Sequence, residues 1–338
     1  IESWCFVFRS GDRLSKSRVV IELIRQRQHK RTLIVCPKSV IDVWPQQFAR
    51  WGNGEYVLPL GESSIKKRYQ RLVQALQRQG TLVAAMNYDA FYREPLRTMI
   101  IKTDWDLLVL DESHRIKAPG GKQSMFARAL RERIPYRLAL TGTPLPHSPL
   151  DIYAQYRALD TRIFGNSFVA FRNRYAEMGG YLGYEVKGWR NLEELHHKMY
   201  SIAFRVTADV LHLPPAVDAN RYCTLEPTAA KVYRSLERDL IAEIKGGTIT
   251  VANALVKLLR LQQLTGGALK VDESDTVIEV STAKRDLLAD VLEDLPHEPI
   301  VIFCRFHHDL DAVHRVATRL NRPCAELSGR INELGVWT

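Results

Sequence analysis

Apolar runs closed by polar residues recur along the first half of the chain, at 32–36, 81–86, 106–110 and 136–141, with another short one at 4–8. Between them the hydrophobic spacing changes from continuous to helical. Val19, Val20, Leu23 and Ile24 mark a helix over 17–28, and Ile65, Tyr69, Leu72, Val73 and Leu76 mark another over 64–79, with Gly80 as its expected C-cap. Further helices are expected at 95–101, 123–133 and 149–159. Buried strands alternating with amphipathic helices predict an α/β fold, a parallel sheet with helices on both faces.

From 162 to 190 the pattern is lost, and aromatics and glycines mix with arginines, as in an insertion packed on the first core. The paired prolines of 211–215 predict an extended connector. Helices at 228–245 and 251–263 follow, and then a second α/β unit with helix 283–292, strand 300–304, helix 309–320 and strand 324–327. The expected organisation is a first lobe over 1–160, an insertion and linker over 161–215, and a helical segment with an incomplete second lobe over 216–338. With Ile1 at its start and Thr338 at its end, the chain reads as a fragment.

Composition narrows the picture only in part. A hydrophobic content of 46% and a charged content of 25% over 338 residues are those of a globular protein with room for two cores. The net charge of +10 suits a polyanionic partner such as nucleic acid. The five cysteines form no CxxC pair, and three lie in apolar runs, which favours reduced thiols over a disulfide framework. No apolar run approaches the ~20 residues that span a bilayer, so no membrane partner is expected. His196-His197 has no further ligand at zinc spacing.

The chemistry concentrates at the ends of two of the runs. Asp111-Glu112-Ser113-His114 follows 106–110, and Thr141-Gly142-Thr143-Pro144 closes 136–141. Adjacent carboxylates after a buried strand fit a magnesium ligand and a base for an attacking water. Taken alone, the same pair fits a helix N-terminus. Upstream, Ser15-Lys16-Ser17 opens the first helix and offers an ammonium for phosphates and a hydroxyl for magnesium. A Ser-Lys-Ser cap on a basic surface is the plainer alternative. The basic run Lys66-Lys67-Arg68 with Arg71 reads as a solvated helix face.

Together these motifs resemble the Swi/Snf-type ATPases of helicase superfamily two, with their DEAD/DEAH-box-like acidic element and phosphate loop, above all the phage and bacterial members. Residues 33–40 with Trp44 and Phe48, and Asn87-Tyr88-Asp89, resemble strand-contacting segments of that family. Asp111 to Lys117 resembles its Walker B element, 140–144 its coupling motif, 205–215 its linker, and 300–304 with 327–330 the opening of its second lobe.

The resemblance implies a RecA-like parallel sheet, then a linker and an incomplete second RecA-like lobe. It implies an ATP-dependent DNA translocase or helicase, with ATP and Mg2+ held between the lobes and double-stranded DNA as the favoured nucleic acid. Glu112, Asp111 and Lys16 become the expected catalytic residues. Lys16, Ser17, Ser15, Thr141, Gly142, Thr143 and His114 become the expected nucleotide-binding set, with Ser17 and Asp111 on the magnesium. Lys38, Ser39, Asn87 and Tyr88 become the expected nucleic-acid contacts. A bacterial or phage-infected cytoplasm is the expected location. The chain departs from the family where two cradle glycines are replaced by Arg13 and Ser15 and where the arginine-finger motifs are lacking. This chain by itself is therefore expected to hydrolyse ATP poorly or not at all, even where the parent protein is active. The competing expectations are a non-hydrolysing nucleic-acid-binding remnant and the motor portion of a restriction or repair complex, for which no nuclease constellation is visible.

Overall fold

The computed structural model describes residues 16–180, 185–206, 217–246, 251–270 and 277–333. The expected strand at 4–8, the cradle positions Arg13 and Ser15, and the connector at 211–215 lie outside the described residues. The chain divides into two compact units, 1–214 and 215–338.

In the first unit, helix α1 (Lys16–Arg27) leads to β1 (Arg31–Cys36), α2 (Val43–Trp51), β2 (Tyr56–Leu60), α3 (Ile65–Leu76) and β3 (Leu82–Asn87). Then come α4 (Tyr88–Phe91), α5 (Leu96–Lys102), β4 (Leu107–Asp111), α6 (Lys122–Arg131) and β5 (Tyr136–Leu140). The five strands pair in the order β2-β3-β1-β4-β5, every pair parallel. Alternate residues of each strand serve opposite faces. Leu33, Val35, Ala84, Met86, Leu108 and Leu110 pack against α3 to α6. Ile34, Cys36, Val83, Ala85, Leu107 and Val109 pack against α1 and α2. A strand covered on both sides reads as an unbroken apolar run, which is why these were recognisable.

Helix α2 and strand β2 were not anticipated. Pro59 disguises β2, yet β2 is an edge strand, where a residue without an N–H is tolerated. Helix α3 begins at the Ser64 N-cap, whose hydroxyl accepts from the Lys67 N–H at 3.4 Å, and ends at Leu76. Gly80 is therefore not its C-cap. With φ of +95° it turns the chain into β3 instead.

Helix α7 (Ile152–Leu159) is buried along its whole length. The insertion folds over it as α8 (Thr161–Phe164), α9 (Phe168–Tyr175), the hairpin β6 (Ala176–Gly179) and β7 (Glu185–Trp189), and α10 (Leu192–Tyr200). Tyr153, Tyr156, Phe164, Phe171, Tyr175, Leu195 and Met199 form its core. The aromatic mixture that obscured the period is the packing itself.

The second unit contains α11 (Pro227–Gly246), α12 (Val251–Thr265), the hairpin β8 (Ala268–Lys270) and β9 (Val277–Glu279), α13 (Ala283–Asp294) and α14 (His307–Arg319). The expected strands 300–304 and 324–327 are not formed as such. Ile300 and Ile302 pack on α13 and α14, while Val301 and Phe303 on the other side are 63% and 94% exposed. Leu327 makes one isolated bridge, to Asn332. An extended run becomes a strand only beside a partner, and none accompanies 300–304 among the described residues.

Candidate nucleotide site at the carboxyl edge of the sheet

Because the strands are all parallel, their carboxyl ends share one edge, the usual ligand-binding rim of an open α/β sheet. The turns after β1, β3, β4 and β5 meet there, joined by the start of α1. Asp111 ends β4 and is 7% exposed. Burial pushes its carboxyl up to about 6, opposed chiefly by the Lys16 charge. Glu112 follows in the left-handed region, at φ 53° and ψ 55°, which aims its side chain out of the strand line.

Both Glu112 oxygens are engaged. Lys16 Nζ stands 2.9 Å from Oε1. His114 Nδ1 lies 3.2 Å from Oε2 and 3.1 Å from Thr141 Oγ1. Burial lowers the His114 pKa, so the ring is neutral at pH 7. An ionised carboxylate only accepts, which places the imidazole proton on Nδ1. The Thr141 hydroxyl then donates to Glu112 Oε2 at 3.4 Å and accepts the Thr143 N–H at 3.1 Å. Lys16, Glu112, His114 and Thr141 thus form one connected group, in which His114 joins the acidic pair to the Thr141 turn. Gly142 and Thr143 continue the turn, half-buried and exposed. Ser17 is half-buried in the first turn of α1, and Ser15 lies outside the described residues.

The expected nucleic-acid contacts separate into two kinds. Lys38 and Ser39 are exposed on a single 3-10 turn directly after β1. Tyr88 is 2% exposed, and its hydroxyl donates to the Asp111 carbonyl at 2.8 Å, so its ring has no free face for a base. Asn87 is 7% exposed and its Oδ1 accepts from Arg68 Nη1 at 2.5 Å. The solvated-face expectation fails for Arg68. That guanidinium is 4% exposed and also donates to the carbonyls of Glu62 and Gly61. Lys66 and Lys67 remain exposed.

Two buried polar residues of the rim had no role of their own assigned from the sequence: Ser113, named only as part of the Asp111–His114 motif, and Gln155, which was not named. Ser113 is fully buried and donates to Gln155 Oε1 at 2.7 Å. Gln155 is the only amide side chain in α7, a helix of otherwise buried, mostly apolar residues, and that placement was the available signal. The buried Cys36 thiol, its pKa raised by burial, is inert packing beside the rim, whereas Cys304 is half-buried and Cys324 exposed. Among the described residues no cluster of three His, Cys, Asp or Glu could hold a metal by itself. No described helix is long and apolar enough to cross a membrane.

A five-stranded parallel sheet with this acidic and hydroxyl rim is the architecture of a superfamily-two ATPase core. The solved SWI2/SNF2 ATPase core of Sulfolobus solfataricus in complex with double-stranded DNA has the same fold, with a TM-score of 0.51 at 20% identity over 98% of this chain and 69% of that one. The SNF2-related domain model matches residues 16–266. Protein p41 of Acyrthosiphon pisum secondary endosymbiont phage 1 is 24% identical over 302 residues, 83% of this chain and 63% of that protein. The ISWI chromatin-remodeling complex ATPase ISW2 of Saccharomyces cerevisiae is 28% identical over 214 residues, 62% of this chain and 18% of that protein. The chain belongs to the SNF2-related domain family of helicase superfamily two. Members of that family use ATP, typically with Mg2+.

Proposed function

We propose that this protein binds Mg-ATP at the carboxyl edge of the β1–β4 pair and couples its hydrolysis to movement along double-stranded DNA. The observation that carries the reading is the 2.9 Å contact between Lys16 at the start of α1 and Glu112 after β4, with Asp111 beside them. An ammonium for phosphate oxygens, a carboxylate for a metal and a second carboxylate for water are the parts phosphoryl transfer needs. Asp111 suits a divalent cation, because burial leaves its charge undercompensated with Lys16 as the main relief. Magnesium commonly takes one or two carboxylates and completes its shell with phosphates and waters, so one acidic ligand and the Ser17 hydroxyl suffice. The bound ion would neutralise phosphate charge.

The residues of the chain then divide the work. Lys16 exchanges Glu112 for phosphate oxygens, freeing one carboxylate oxygen to orient a water and take its proton. His114 and Thr141 hold the other oxygen. Lys38 and Ser39 lie on the same rim with a charge and a hydroxyl exposed, which suits contacts to a DNA backbone that position without reading sequence. The test is Mg-ATP binding and steady-state hydrolysis, each with and without duplex DNA. Glu112→Gln should retain binding and lose turnover, and Lys16→Ala should lose binding. A wild-type protein that binds duplex DNA but no Mg-nucleotide would refute the proposal in favour of a binding remnant.

A further inference from the structure

Two separate bridges join the turn after β4 to the turn after β5. The first is the Glu112–His114–Thr141 group. The second runs beneath it, through Gln155 on α7, which is 1% exposed. Gln155 Nε2 donates to the Pro144 carbonyl at 2.7 Å and to the Asp151 carbonyl at 3.0 Å. Carbonyls only accept, so the amide can sit one way round, and its oxygen takes the Ser113 hydroxyl at 2.7 Å. Both N–H donors of the carboxamide are used, and its oxygen holds one partner. Ser113 follows Glu112 directly, and Pro144 closes the turn that carries Thr141.

We propose that Gln155 is a positioning residue for Glu112: its carboxamide clamps the turn after β4 to the turn after β5 and so fixes where the Glu112 carboxylate points. This rests on the reading of Glu112 as the base. Glu112 sits in a left-handed conformation that a non-glycine residue keeps only when its surroundings enforce it, and the buried Ser113 hydroxyl is the neighbouring anchor. Releasing that anchor leaves Lys16 and Asp111 in place, so nucleotide affinity should be spared while alignment of the attacking water suffers.

The test is the pair Ser113→Ala and Gln155→Leu with their double variant, in the same protein. Each single change should lower kcat about ten- to a hundredfold, as small misplacements of a catalytic group do, with Mg-ATP affinity within about twofold of wild type. Because both break one bridge, the double variant should be no slower than the slower single one. Amide exchange should quicken over 112–116 and 141–145 while the interior of β4 stays protected. Multiplicative effects, an unchanged kcat, or a parallel loss of kcat and affinity would overturn the proposal. Should Gln155→Leu fold poorly, Ser113→Ala alone still decides by kcat, Mg-ATP affinity and amide exchange. A wild-type protein without turnover would instead sink the hydrolytic reading and the catalytic role assigned here, and unchanged exchange over 112–116 would show that the clamp itself does not exist.

Discussion

Replacing Asp111 by Asn should make the nucleotide-free protein more stable, and the gain should depend on pH. Burial raises the Asp111 carboxyl from its ordinary 3.8 to about 6 in the folded chain. A raised carboxyl pKa means that the folded state resists ionisation more than the unfolded state does. Below about pH 4 the group is protonated in both states and contributes no penalty. Between about pH 4 and 6 only the unfolded chain ionises freely, and stability falls as pH rises. Above about pH 6 the penalty is complete, and a shift of this size corresponds to up to ~3 kcal/mol. Asn keeps the shape and an acceptor for the Glu112 N–H while removing the charge. Urea unfolding followed by tryptophan fluorescence, without magnesium or nucleotide, should show Asp111→Asn ahead by ~1–3 kcal/mol at pH 7.5, with the gap closing towards pH 4.5. Adding Mg-ATP should stabilise wild type more than the variant, because the cation relieves the same charge. A variant less stable than wild type at pH 7.5, or a gap independent of pH, would refute the reasoning.

Arg68→Met should destabilise the first unit by ~3–5 kcal/mol, since it orphans Asn87 and two strand-end carbonyls, whereas Arg71→Ala at the half-exposed neighbour should stay within ~1 kcal/mol. The same urea titration separates them. Lys38→Ala should weaken duplex DNA binding and reduce the slope of log affinity against log salt by about one. Tyr88→Phe should leave that slope unchanged and cost ~1 kcal/mol of stability, because its hydroxyl serves the Asp111 carbonyl. Salt-dependent fluorescence anisotropy on labelled duplex measures both.

The sheet was legible where burial on two faces made runs unambiguous, as in 32–36 and 106–110, and illegible where an edge strand could carry Pro59. Helix α3 holds the sharper lesson. Arg68, Leu72 and Ala75 fall on one helical face, and all three are buried. Spacing pointed Arg68 inward while its charge pointed it outward, and the carbonyls at the end of β2 decided for spacing. The extended run 300–304 kept its period of two, with Ile300 and Ile302 covered, but pairing is a property of neighbours and cannot be read from one segment. At the rim, motifs after two strands and at the start of α1 named Lys16, Asp111, Glu112, His114 and Thr141, and the structure brings these five residues together. Which oxygen of Glu112 meets which partner, and that Gln155 reaches Ser113 from 42 residues away, depend on crossovers that no local motif encodes.

Glycine at position 112 would adopt φ 53° without the clash that a Cβ brings, a relief of roughly 1 kcal/mol. The lost contacts to Lys16, His114 and Thr141, made by a part-exposed carboxylate, would offset only part of that. A laboratory selection that rewarded heat resistance alone would therefore drift towards deleting the carboxylate, and would do so one codon at a time without disturbing the sheet. Any effort to toughen this protein has to hold position 112 fixed, or screen for turnover alongside melting temperature, because there the interests of the folding chain and of the chemistry diverge.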